Sequence, residues 1–254
     1  MSVIFWGLLL PFFGTSLGAA CVLFMKNELN KTLERCLIGF AAGVMSAASV
    51  WSLIIPAVER SAALGRWAFF PAASGFIVGM LLFIGADKLL PRFGEKAARL
   101  TGNKTFLLVF AVVLHNIPEG MAVGAALSAF RAGLPEVTAQ AALILSLGIA
   151  IQNFPEGAII SLPLAAEGRK KNNALFSGVM SGVVEPLAGG LTLLLSELVV
   201  PVLPYLLSFA AGAMQYVVTR ELVPELPGGK HPNAALCAFM LGFAVMMSMD
   251  VALG

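Results

Sequence analysis

Charge is scarce in this chain. Of its 254 residues only 12% are Asp, Glu, Lys or Arg, whereas 59% are hydrophobic and the mean hydropathy is +0.90. A soluble globular domain carries about 25% charge. The deficit excludes an ordinary water-facing surface and leaves lipid as the solvent for most of it. The net charge of +2 is too small for the basic surface that holds nucleic acid. Histidine and cysteine are also sparse. Cys21, Cys36 and Cys237 lie far apart and fit no zinc or redox spacing; such thiols are usually packed as small apolar groups. His115 and His231 are the two histidines, and no His-Glu-x-x-His occurs. An intramembrane metal-dependent hydrolase would need a fuller ligand set and a general base. No Lys or Arg precedes the apolar run from Met1 to Ala20. A secretory leader normally carries one, so the run reads as a membrane helix.

Long apolar runs are abundant. A span needs about 20 mostly apolar residues, and the runs fall near 3–25, 36–58, 68–90, 105–130, 138–164, 173–198, 202–223 and 234–252. The expected fold is an all-α polytopic membrane protein, one transmembrane domain over residues 1–254 with eight helices. Thirteen Lys and Arg residues follow helices 1, 3, 5 and 7, and three occupy the other side. Basic residues favour the cytoplasm, so both termini are expected on the non-cytoplasmic side of a multi-pass protein of the cell inner membrane.

The chain also echoes itself. Phe40-Ala41-Ala42-Gly43-Val44-Met45 in helix 2 returns as Phe209-Ala210-Ala211-Gly212-Ala213-Met214 in helix 7, and Pro56 and Pro224 follow at nearly the same interval. Helices 2 and 7 run in opposite directions. The pattern predicts helices 1–3 and 6–8 as an inverted repeat around helices 4 and 5, an arrangement that places transport sites at its junction.

Helices 4 and 5 carry the most informative echo. His115-Asn116-Ile117-Pro118-Glu119-Gly120 and Gln152-Asn153-Phe154-Pro155-Glu156-Gly157 share x-Asn-x-Pro-Glu-Gly in mid-run. A carboxylate at membrane depth needs a partner or a function. His115 and Glu119 are four apart and share one helical face, as do Gln152 and Glu156. Imidazole nitrogen with carboxylate oxygen suits a borderline divalent ion such as Zn²⁺. Asn116 and Asn153 sit about 100° around their helices, where they either serve a second site or orient the first. Glu185 in helix 6 is a third intramembrane carboxylate. Three such glutamates without a Lys or Arg at that depth require protons or a divalent cation for neutrality. A proton-coupled carrier of another solute would share the carboxylates, though not a use for the His–Glu spacing. Pro118 and Pro155 cannot bond the carbonyls of Leu114 and Ile151, so kinks are expected there.

These motifs resemble the Zrt-/Irt-like (ZIP) family of divalent-metal transporters, in particular its GufA-like bacterial branch. The resemblance spans the whole chain. It implies inward movement of Zn²⁺, or of Fe²⁺, Mn²⁺, Cd²⁺ or Cu²⁺, through a centre between helices 2, 4, 5 and 6, with no prosthetic group and no enzymatic step. It implies a first site of His115, Glu119, Gln152 and Glu156, with Met45 as a candidate sulfur ligand. It implies a second site of Asn116, Asn153 and Glu185 that shares Glu119 and Glu156. Relatives form dimers, so a homodimer is the assembly the resemblance implies beside its metal and lipid partners. Three departures stand out. Several relatives have Asp at the position of Asn153. The loop expected from Pro91 to Lys104 has no histidine, so a metal-sensing loop is not expected there. Arg220-Glu221 stands where some relatives place a histidine beside the acid; His231 in the following loop is the alternative to it, although a loop histidine is usually only solvated.

Overall fold

The computed structural model describes residues 2–24, 30–101, 104–135, 137–166, 168–227 and 232–253, with the backbone alone at 87, 89–101, 104–112, 114, 115, 163, 232 and 253. All regular structure among the described residues is helical. Seven helices there are long and apolar enough to cross a membrane. They are α1 (Ser2–Phe24), α2 (Lys31–Arg60), α3 (Phe69–Ala86), α5 (Ala139–Ala166), α6 (Lys171–Leu194), α7 (Ser196–Glu225) and α8 (Asn233–Ala252). The eighth long helix, α4 (Lys104–Arg131), is continuous in backbone, but its first half is described almost wholly without side chains and it stands outside the seven.

Two expected boundaries move. The helix of α3 continues in backbone to Thr101, so most of the segment expected as a loop from Pro91 is helical. The expected end of helix 6 near residue 198 is replaced by a one-residue break at Leu195, after which α7 begins at Ser196. Leu195 has φ −88° and ψ 20°, enough to redirect the chain without a loop. The ends of α4 and α5 close on Gly133 (φ 71°) and Gly168 (φ 91°). The following amides, of Leu134 and Arg169, reach back to Ala129 and Leu164 at 3.1 Å. This is the left-handed glycine cap that satisfies the last carbonyls of a helix.

Polarity is distributed inside out. Phe24 is 84% exposed and Met240 68%, while Asn116, Glu119, Gln152 and Asn153 are fully buried. A water-soluble domain avoids such apolar surface; acyl chains solvate it at no cost, and intramembrane polar groups face inward.

Four close helix pairs make the bundle, each by backbone approach at glycine, as small residues permit in lipid. Gly14 and Gly18 of α1 meet Ala150 and Phe154 of α5, and Gly120 and Gly124 of α4 meet Glu185 and Gly189 of α6. Gly39 and Gly43 of α2 meet Ala235 and Phe239 of α8, and Gly75 and Gly79 of α3 meet Tyr205 and Phe209 of α7. The constant register within each pair makes all four parallel. The last two pairs repeat one device, a reciprocal Phe-x-x-Gly contact. A Cβ at Gly43 would lie 2.0 Å from the Phe239 carbonyl oxygen, and one at Gly242 2.2 Å from that of Phe40. The same holds for Gly79 against Phe209 at 2.1 Å and Gly212 against Phe76 at 2.0 Å. Phe-Ala-Ala-Gly in α2 and α7 is thus half of a recurrence completed in α3 and α8.

The paired prolines also have a structural counterpart. Ser49–Ile54, ahead of Pro56, and Val218–Leu222, ahead of Pro224, are π-turns. Each begins four residues after its methionine, Met45 or Met214. A proline lacks the N–H that would bond four residues back, and a widened turn is one way for a helix to absorb that loss.

Candidate metal centre

Three elements bring the expected residues together. Helix α4 supplies Asn116 and Glu119, α5 supplies Gln152, Asn153 and Glu156, and α6 supplies Glu185. The backbone remains helical through Pro118 and Pro155. The interruption falls in α6, where Val183 keeps helical dihedrals but its N–H bonds Met180 O at 3.4 Å, three residues back, so the regular ladder lapses there. Pro186 explains it, because it cannot donate to Gly182 O. Glu185 therefore lies in the first turn after this lapse, in the bundle interior.

Two amide–carboxylate bonds tie the helices. Gln152 Nε2 donates to Glu119 Oε1 at 2.8 Å, joining α5 to α4. Asn116 Nδ2 donates to Glu185 Oε1 at 2.8 Å and to the Ser181 carbonyl at 3.2 Å, joining α4 to α6. Glu119 lies within electrostatic reach of both Glu156 and Glu185, and the Asn153 amide neighbours Glu119 and Glu185 without making a well-formed hydrogen bond.

The network leaves acceptors over. Asn116 Oδ1, Glu119 Oε2, Gln152 Oε1, Asn153 Oδ1 and Glu185 Oε2 are buried without a hydrogen-bond partner. An unsatisfied buried acceptor costs about 1–3 kcal/mol, and more when charged. Several in one network call for a cation or protons. Among the described residues, no three His, Cys, Asp or Glu side chains converge as a ready-made ligand set. The carboxylates are interleaved with amides, so a bound ion would draw on amide oxygens as well. Oxygen donors of this kind take hard or borderline divalent ions.

Met45 is 1% exposed and belongs to a buried cluster with Ala122, Val123 and Ile149, one turn from Glu119 and Gln152. The His115 side chain lies outside the described residues, although its backbone continues α4, and His231 lies wholly outside them. One participant escaped the sequence reading. Thr15 of α1 is fully buried and its hydroxyl donates to Glu185 Oε1 at 2.8 Å. In an apolar run a lone threonine gives no such signal; only its glycine neighbours, Gly14 and Gly18, hinted at a close contact.

The chain also matches known proteins. The model of the ZIP zinc transporter family matches residues 95–250, which include both Pro-Glu-Gly motifs and Glu185. The chain is similar to zinc transporter ZIP11 of Homo sapiens, 35% identical over an alignment that covers 100% of this chain and 98% of the relative. It is similar to zinc transporter ZIPB of Bordetella bronchiseptica, 36% identical over 96% of this chain and 79% of the relative. It is also similar to zinc transporter GufA of Myxococcus xanthus, 34% identical over 94% of each chain. With similarity that extends from end to end and a family match over residues 95–250, the chain belongs to the ZIP zinc transporter family.

Proposed function

We propose that this chain carries Zn²⁺ across the cell membrane into the cytoplasm, with Fe²⁺, Mn²⁺, Cd²⁺ and Cu²⁺ as related cargo. The carrying observation is the set of buried, partnerless oxygens on Asn116, Glu119, Gln152, Asn153 and Glu185 within one network. The names of the relatives support zinc as the ion. In this reading His115, Glu119, Gln152 and Glu156 hold the first ion, with Met45 beside them. Asn116, Asn153 and Glu185 hold the second and share Glu119 and Glu156. No chemical step and no prosthetic group is involved. All of these residues come from one chain, so a homodimer is not needed to build the centre.

The whole chain acts as one transport domain of eight spans. The reciprocal Phe-x-x-Gly pairs and the matching π-turns of α2 and α7 support an inverted repeat around α4 and α5. The excess of Lys and Arg after the odd-numbered helices supports both termini outside the cytoplasm. Purified protein in vesicles of known sidedness tests the proposal. Zn²⁺ should enter down its gradient faster than into protein-free vesicles; equal rates with correctly folded protein would remove it.

A further inference from the structure

The glycines that end the two x-Asn-x-Pro-Glu-Gly motifs have equivalent neighbours. A Cβ at Gly120 of α4 would lie 2.4 Å from the backbone oxygen of Glu185 in α6, and one at Gly157 of α5 would lie 2.0 Å from that of Thr15 in α1. Thr15 therefore takes beside the second motif the seat that Glu185 takes beside the first. The two side chains meet, with Thr15 Oγ1 donating to Glu185 Oε1 at 2.8 Å. Glycine surrounds Thr15 on the other side as well, since a Cβ at Gly182 of α6 would lie 2.8 Å from Thr15 Cβ. These approaches press the Thr15 hydroxyl of α1 into the carboxylate network.

We infer that Thr15 is a positioning residue of the metal centre, holding Glu185 with one oxygen anchored and the other presented to the ion. The inference rests on the reading of Glu185 as a metal ligand. Both donors, Thr15 Oγ1 and Asn116 Nδ2, engage Oε1, and Oε2 is buried without a partner. A carboxylate anchored through one oxygen cannot turn about its terminal bond without breaking those bonds, so Oε2 is set in place before the ion arrives. Preformed geometry lowers the ordering cost of binding. Asn116 alone leaves the carboxylate free to pivot around a single bond, and the hydroxyl of Thr15 removes that freedom from the opposite helix.

The test is isothermal titration of Zn²⁺ into the full-length protein in detergent, with Thr15→Val, Thr15→Ser and Thr15→Ala. Valine keeps the shape and removes the hydroxyl; serine keeps the hydroxyl. Thr15→Val should weaken one Zn²⁺ event about tenfold, the effect of losing one charge-assisted bond. Thr15→Ala should match it, and Thr15→Ser should stay within about twofold of wild type. In a Glu185→Gln background, Thr15→Val should cause little further loss, because both changes act through one carboxylate. Wild-type affinity in folded Thr15→Val or Thr15→Ala, with Glu185→Gln impaired, would overturn the positioning role alone. So would an equal loss in Thr15→Ser, which would assign the effect to packing. Unchanged binding in Glu185→Gln would instead remove the metal role of Glu185 and the role of Thr15 with it.

Discussion

Gln152 on α5 donates its side-chain amide to Oε1 of Glu119 on α4 at 2.8 Å, and both residues are fully buried. The bond joins the two Pro-Glu-Gly helices at their polar centre. It uses the donor end of the amide and leaves the acceptor oxygens, Gln152 Oε1 and Glu119 Oε2, over. A pair whose amide nitrogen is engaged and whose acceptor oxygens are spare is suited to a cation.

The residues of this centre should therefore outrank other polar groups in transport. Glu119→Ala, Glu156→Ala and His115→Ala are each expected to lower Zn²⁺ flux into vesicles by about tenfold or more, the loss that roughly 1.4 kcal/mol of interaction implies. Expression and gel-filtration behaviour should stay normal. His231→Ala should transport as wild type. A severe His231→Ala defect with near-normal Glu119→Ala would place metal recognition in the loop.

In the proposed two-ion centre, Asn153 limits the strength of the second ion. An amide lacks the Coulomb attraction of a carboxylate, and that attraction is large away from water. Asn153→Asp should tighten the weaker of two Zn²⁺ events in calorimetry and leave the tighter one in place. Turnover should fall, because a transported ion must also leave. Equal affinity for the weaker event in both proteins would put residue 153 away from the ion.

Zn²⁺ should also stabilise the fold. A ligand at about a hundred times its dissociation constant adds about 2.7 kcal/mol, which a thermal-unfolding scan in detergent resolves. Chelation should reverse the shift. In Glu119→Ala the shift should vanish, and a full shift in that variant would mean that Zn²⁺ binds elsewhere.

Helix spacing is a separate test of the architecture. A Cβ at Gly18 would lie 1.8 Å from the backbone oxygen of Phe154, whereas one at Gly190 meets nothing within 4 Å. Gly18→Ala must push α1 from α5 and should cost about 1–3 kcal/mol. Gly190→Ala should be neutral or slightly stabilising. Comparable melting points for the two variants would contradict the close α1–α5 contact.

Much of the site was legible because its residues are anomalous where they stand. Glu119, Glu156 and Glu185 are costly in lipid, so their presence alone pointed to a function. The i, i+4 spacing of Gln152 and Glu156 followed from helix geometry. The echo of Phe40–Met45 in Phe209–Met214 announced an internal relationship because such a match is unusual. The missed elements lack that contrast. Thr15 stands beside Ser16 in an apolar run, with nothing local to single it out, and its importance depends on a partner 170 positions away. The break before Glu185 and the one-residue junction at Leu195 likewise depend on how neighbouring helices seat, which local preference does not encode.

The sequence by itself determined the solvent, the long helices and the residue types at their centre, because hydropathy, helical period and the cost of buried charge are local quantities. Tertiary structure decided which helices pair, that the Phe-x-x-Gly contacts are reciprocal, and which oxygen of each carboxylate is bonded. Those outcomes depend on backbone approaches between distant segments at Gly43, Gly79, Gly120 and Gly157. A missing side chain shows where another helix can come close; only the packed bundle decides which helix does.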